Sequence, residues 1–66
     1  MPFVNVRITK ETTPATREQK AQIIGEITEM LERILGKSPD VTHIVIEEVE
    51  LDNWGFKGKQ VSELRK

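Results

Sequence analysis

The segment from Thr42 to Val49 is rich in β-branched residues and reads as a strand, yet it is apolar on both faces of an extended chain: Ile44 and Ile46 on one, Val45 and Val49 on the other. Strands of this kind occur where both faces are covered. The rest of the sequence offers a single cover. Between Arg17 and Leu35, the residues Ala21, Ile23, Ile24, Ile27, Met30, Leu31, Ile34 and Leu35 recur at spacings of three and four, the stripe of an amphipathic helix. Thr16 followed by Gln19 forms a capping box at its start, and Gly36 with Pro39 shortly after marks its end. One helix covers one face, so the other face needs a second copy of the chain.

Phe3 to Thr9 forms an earlier strand, with Val4, Val6 and Ile8 alternating against Asn5, Arg7 and Thr9. Strand, helix and strand make a βαβ unit whose crossover is right-handed in nearly all cases, which sets the two strands parallel. In the tail, Asp52-Asn53-Trp54-Gly55-Phe56-Lys57-Gly58 has turn glycines bracketing aromatics, the mark of a short hairpin or arm. No repeat or boundary divides the chain, so residues 1–66 read as one α/β domain. A chain of 66 residues buries only about 60% of its unfolded surface and needs outside support. With no cysteine and a single histidine, His43, disulfides and thiolate metal sites are excluded. A homo-oligomer is the expected state.

The net charge is −1 and the isoelectric point about 5.8, which lacks the basic surface that phosphate-backbone recognition requires. Nucleic acid is therefore not the expected partner. No apolar run approaches the roughly 20 residues that span a bilayer, and no basic-then-apolar leader opens the chain, so the cytoplasm is the expected compartment.

Pro2 directly follows Met1. Removal of Met1 leaves a secondary amine at Pro2, whereas with Met1 attached the same nitrogen is a tertiary amide without basicity. A free α-amino group has a pKa near 7.7 to 8.0, and apolar surroundings disfavour its cation, which suits a neutral base at pH 7.

Met-Pro followed by a strand, Arg17-Glu18-Gln19-Lys20 opening the helix, Val45-Ile46-Glu47-Glu48-Val49 in the second strand, Trp54-Gly55-Phe56-Lys57-Gly58, and a basic end at Arg65 and Lys66 follow one another in order along nearly the whole chain. In this order and spacing the chain resembles the 4-oxalocrotonate tautomerase family. The resemblance implies a homohexamer of βαβ subunits in which the amino-terminal proline moves a proton between oxygen and carbon of an enol acid, without metal or nucleotide cofactor. It assigns Pro2 as general base and acid, Trp54 to the aromatic wall of the pocket, and Arg65 to the pocket's edge.

The sequence departs from that family at the substrate-binding arginines. The loop after the first strand is a few residues longer, and Pro14, Ala15 and Thr16 stand where one arginine is expected. His43 stands at the other position, and a neutral imidazole donates a hydrogen bond without the fixed charge and fork of a guanidinium. Arg7 is a replacement cation on the face opposite Val4, Val6 and Ile8, or else a partner for Glu47 or Glu48; Lys10 and Arg17 flank the long loop. Adjacent strand residues point to opposite faces, so Glu47 and Glu48 do not form a carboxylate pair. The expected function is cofactor-free enol–keto tautomerisation of a small 2-hydroxy-dienoate or arylpyruvate-like acid. The alternative is a non-catalytic oligomeric binding or structural module of the same fold.

Overall fold

A computed structural model describes residues 1–66. Strand β1 (Phe3–Thr9) leads through a loop to helix α1 (Arg17–Leu35), and strand β2 (His43–Val49) follows a short 3-10 turn at Pro39–Val41. A second 3-10 turn at Leu51–Asn53 leads to a small hairpin, β3 (Gly55–Phe56) and β4 (Lys59–Gln60), and to a one-turn helix α2 (Val61–Leu64).

β1 and β2 pair in parallel and in unbroken register, from Phe3 opposite His43 to Thr9 opposite Val49. The ladder extends past both ends, where the His43 amide donates to the Pro2 carbonyl (3.0 Å) and the Lys10 amide to the Val49 carbonyl (2.8 Å). The capping box forms as the sequence implies: Thr16 Oγ1 accepts from the Gln19 amide at 3.0 Å, and Gln19 Oε1 accepts from the Thr16 amide at 2.9 Å. Gly36 closes the helix in the left-handed region (φ 67°), its N–H donating to the Glu32 carbonyl. β2 starts at His43, one residue later than its composition suggests, because Thr42 is used to cap the 3-10 turn, its amide donating to Pro39 and its hydroxyl to the Ser38 carbonyl.

Burial alternates along both strands as far as their last residues, Thr9 and Val49, which are half-buried next to Ile8 and Glu48. Val4, Val6 and Ile8 of β1 and Ile44, Ile46 and Glu48 of β2 are half-buried, as are Lys20, Ile23, Ile27 and Leu31 of α1. The Glu48 carboxylate forms an ion pair with Lys20 that ties strand to helix, and its Oε2 is buried without a hydrogen-bond partner. The other sheet face, carrying Phe3, Asn5, Arg7, His43, Val45 and Glu47, is open. The apolar stripe of α1 also outruns its cover: Ile34 is 66% exposed and Leu35 56%.

None of the 66 residues is buried in the isolated subunit. Its Cα radius of gyration is 15.0 Å with extents of 44 × 25 × 14 Å, where a compact chain of this length has about 11 Å. Its accessible surface is 5280 Å², against about 4,300 Å² for a compact protein of this mass. The excess, about 1,000 Å², is the size of one partner's share of a standard protein interface. The subunit is a slab shaped to be completed by other copies.

Candidate active site

Pro2 is half-buried at the start of β1, and its carbonyl is held by the His43 amide (3.0 Å). Pro2 and His43 therefore occupy the same end of the parallel pair. Trp54 and Arg65 lie at the opposite end, where both line a cleft of about 500 Å³ with Thr9, Phe56, Lys57, Val61 and Leu64. Seven residues of strand at about 3.3 Å each separate the two ends by roughly 23 Å. Within one subunit the five sequence-derived candidates do not converge on a single point.

The Trp54 end is built by the folded-back tail. The Val61 amide donates to the Trp54 carbonyl (2.8 Å) and Gln60 Nε2 to the Asp52 carbonyl (3.0 Å), which closes the hairpin beneath α2. Lys57 (φ 56°) and Gly58 (φ 77°) both take positive φ in the two-residue turn, the conformation that matches the twist of a tight hairpin. Lys57 Nζ then sits 5.5 Å from the centroid of the Phe56 ring, within cation–π range. Neither α2 nor the two 3-10 turns has a sequence pattern long enough to announce it.

Arg7 lies on the open sheet face, in a chain of polar contacts. Its Nε donates to Asn5 Oδ1 at 2.9 Å, Asn5 Nδ2 donates to Glu47 Oε1 at 2.7 Å, and Nε is 3.6 Å from Glu47 Oε1. Of the two sequence candidates for its partner, Glu47 is the one, while Glu48 faces the helix. Arg7 and Trp54 also share a smaller cleft of about 270 Å³ with Val49, Asn53 and Gly55. Lys10 is drawn to Glu50 (3.1 Å) at the foot of β2.

Arg65 is not a free tail residue. Its Nη1 donates to both oxygens of Glu11, at 2.8 and 3.0 Å, and the Thr9 hydroxyl donates to Glu11 Oε2. The hydrogen bond from Thr9, reinforced by Arg65, holds the Glu11 carboxyl below its ordinary value of 4.5. Glu11 is the functional candidate that sequence reasoning missed. It is separated from Arg65 by 54 positions in the chain, and no periodicity links a loop residue to a tail. No three of the chain's His, Asp or Glu side chains cluster as a metal site would.

Residues 2–64 match the family model described as tautomerase enzyme. The chain belongs to the tautomerase family. A Dickeya dadantii protein named probable tautomerase K2 is 52% identical to this tautomerase over 65 residues, covering 98% of this chain and 94% of that one. The crystal structure of DmpI from Helicobacter pylori superposes with a TM-score of 0.86 at 33% identity, covering 97% of this chain and 96% of that chain. A 4-oxalocrotonate tautomerase isozyme from Methylibium petroleiphilum gives 0.80 at 25% identity, with coverage of 98% and 100%. The family-level expectation drawn from Met-Pro, the helix opening and the Gly-aromatic tail is thus correct, as is the βαβ architecture. Tautomerase activity is the chemistry of this family, which weighs against the non-catalytic module.

Proposed function

We propose that this tautomerase interconverts the enol and keto forms of a small 2-hydroxy-dienoate or arylpyruvate-like acid, with Pro2, freed of Met1, as the proton carrier. The observation that carries the reading is the hydrogen bond from the His43 amide to the Pro2 carbonyl. It extends the parallel ladder by one position and pins the ring whose nitrogen would do the chemistry. Met1 is 84% exposed, and nothing in the subunit holds it in place. The neutral amine takes the proton from the 2-hydroxyl of the enol, and the resulting ammonium returns a proton to carbon. The ketone forms and the amine is regenerated, so no redox cofactor or metal is required by the balance.

A lone subunit keeps Pro2 distant from Trp54 and Arg65, which supports a pocket assembled from more than one copy. In that pocket Pro2 and His43 come from one subunit, and the apolar wall of Trp54, with Arg65 and Arg7 as sources of positive charge, comes from others. The homohexamer is the assembly we propose, with the βαβ domain of residues 1–66 as its unit. Neither family arginine is present at its usual position, so acid binding falls to Arg65, Arg7 and the His43 imidazole.

The deciding experiment compares protein with Met1 removed and protein with Met1 retained, verified by mass, on phenylenolpyruvate ketonisation. The processed chain is expected to be active and the retained chain slower by at least the 10²- to 10⁴-fold that positioned acid–base catalysis contributes. Equal rates exclude Pro2 as the carrier.

A further inference from the structure

Arg65 stands between two clefts of similar size and opposite character. One, of about 510 Å³, is lined by Lys10, Glu11, Thr12, Glu50, Leu51 and Asp52 besides Arg65; with Lys10 paired to Glu50 and Arg65 to Glu11, Asp52 leaves it net negative. The other, of about 500 Å³, holds Trp54, Phe56, Val61 and Leu64, and its only charged members are Lys57 and Arg65. An acid with an apolar body is therefore better matched by the Trp54 side. A guanidinium has five N–H donors. Glu11 engages only Nη1, and Nε and Nη2 of Arg65 make no hydrogen bond within the subunit.

We infer that Glu11 is a positioning residue that sets how strongly this site holds an acid. It fixes Arg65 at the rim of the apolar cleft through Nη1, leaves Nε and Nη2 for the ligand's carboxylate, and offsets part of the guanidinium's charge with its own. This rests on the reading above that the ligand is a small organic acid. The consequence is a site that discriminates between acids mainly by their apolar body, because its cation is already half-answered. Thr9 is the third member of the device, since its hydroxyl orients the Glu11 carboxylate from the end of β1.

Glu11→Gln separates charge from position: its side-chain carbonyl still accepts from Nη1, and the negative charge is gone. Trp54 is the only tryptophan, so its fluorescence reports binding of non-reacting probes without any turnover. For phenylacetate, E11Q is expected to bind about two- to five-fold more tightly than the parent, the scale of one exposed charge–charge interaction. Phenylacetamide, uncharged and of the same shape, should bind both proteins alike. The gain should vanish in the E11Q/R65A double variant and shrink as salt rises through the range where the Debye length falls below about 10 Å. With an enol substrate, E11Q should lower KM and leave kcat unchanged. Phenylacetate binding that is unchanged or weaker in E11Q, a gain that survives loss of Arg65, or an equal gain for phenylacetamide overturns the inference. A failure of the Pro2 mechanism leaves the probe-binding result standing, because no step of it requires catalysis.

Discussion

The His43 amide reaches the Pro2 carbonyl at 3.0 Å, which joins the start of the chain to the start of its second strand across the whole length of the helical crossover. The residue proposed to carry the proton is thereby set by the same hydrogen-bond ladder that sets the sheet. Register and chemistry are coupled, because slipping β1 by one residue against β2 would turn every side chain to the opposite face.

Processed protein should show a rate of enol ketonisation that rises with pH as a secondary ammonium loses its proton. Pro2→Ala, with a primary amine at a similar place, should keep a remnant of activity. Trp54→Ala should wet the pocket and move the kinetic midpoint upward, toward that of a free amine, because desolvation of the cation is what lowers it. A pH–rate profile unmoved by Trp54→Ala would show that the ring does not reach the amine.

If the pocket is shared, two impaired chains can repair each other. Mixing Pro2→Ala with Trp54→Ala subunits by joint refolding should create some pockets that hold both an intact proline and an intact tryptophan. Activity of the mixture above the sum of the separate variants is the expected result, and a strictly additive rate would return the whole site to one subunit.

The Arg7–Glu47 contact separates an exposed pair from a covered one by magnitude. Within the subunit the two side chains are 65% and 47% exposed, and a pair left in solvent contributes roughly 0 to 1 kcal/mol. Once the open face is covered, removing one member strands the other and costs about 3 to 5 kcal/mol. Arg7→Ala should therefore weaken assembly by more than tenfold, whereas removing both partners together with Glu47→Leu should recover much of the loss. Sedimentation across a dilution series checks both.

The clasp between Glu11 and Arg65 carries a pH dependence of definite sign. A carboxyl held below its ordinary 4.5 in the folded protein contributes stability that is present above that value and lost as pH falls through the lowered one. Protection of the Arg65 amide, which donates to the Val61 carbonyl at 3.1 Å, against hydrogen exchange, taken relative to an unstructured amide at the same pH, should fall on acidification below 4.5 more in the parent than in E11Q. An equal fall in both would place the acid sensitivity elsewhere.

The sheet and helix were readable because their signals are periodic: Val4, Val6 and Ile8 repeat every second residue, Ile23, Ile27 and Leu31 every fourth, and Thr16 with Gln19 fixes where one period gives way to the other. The tail was readable only as an arm, since α2 spans four residues, too few to display a helical period. Pro2 is proposed on its chemistry and its place in the family pattern. Glu11 was not legible, because an exposed carboxylate in a polar loop looks the same in sequence whether it meets water or an arginine. The proposed convergence of Pro2 with Trp54 came from the family resemblance alone, as a contact between copies leaves no trace in the spacing of one chain.

The open face of the sheet also bears on how its residues can change. If that face is covered by a second copy in a two-fold contact, each of its residues appears on both sides of the contact, so one altered codon at Phe3, Arg7 or Val45 is inherited by every copy at once and meets the same altered patch on the partner. Drift on that face is amplified by symmetry, and a variant tolerable when met by the ancestral surface has to be tolerable when met by itself.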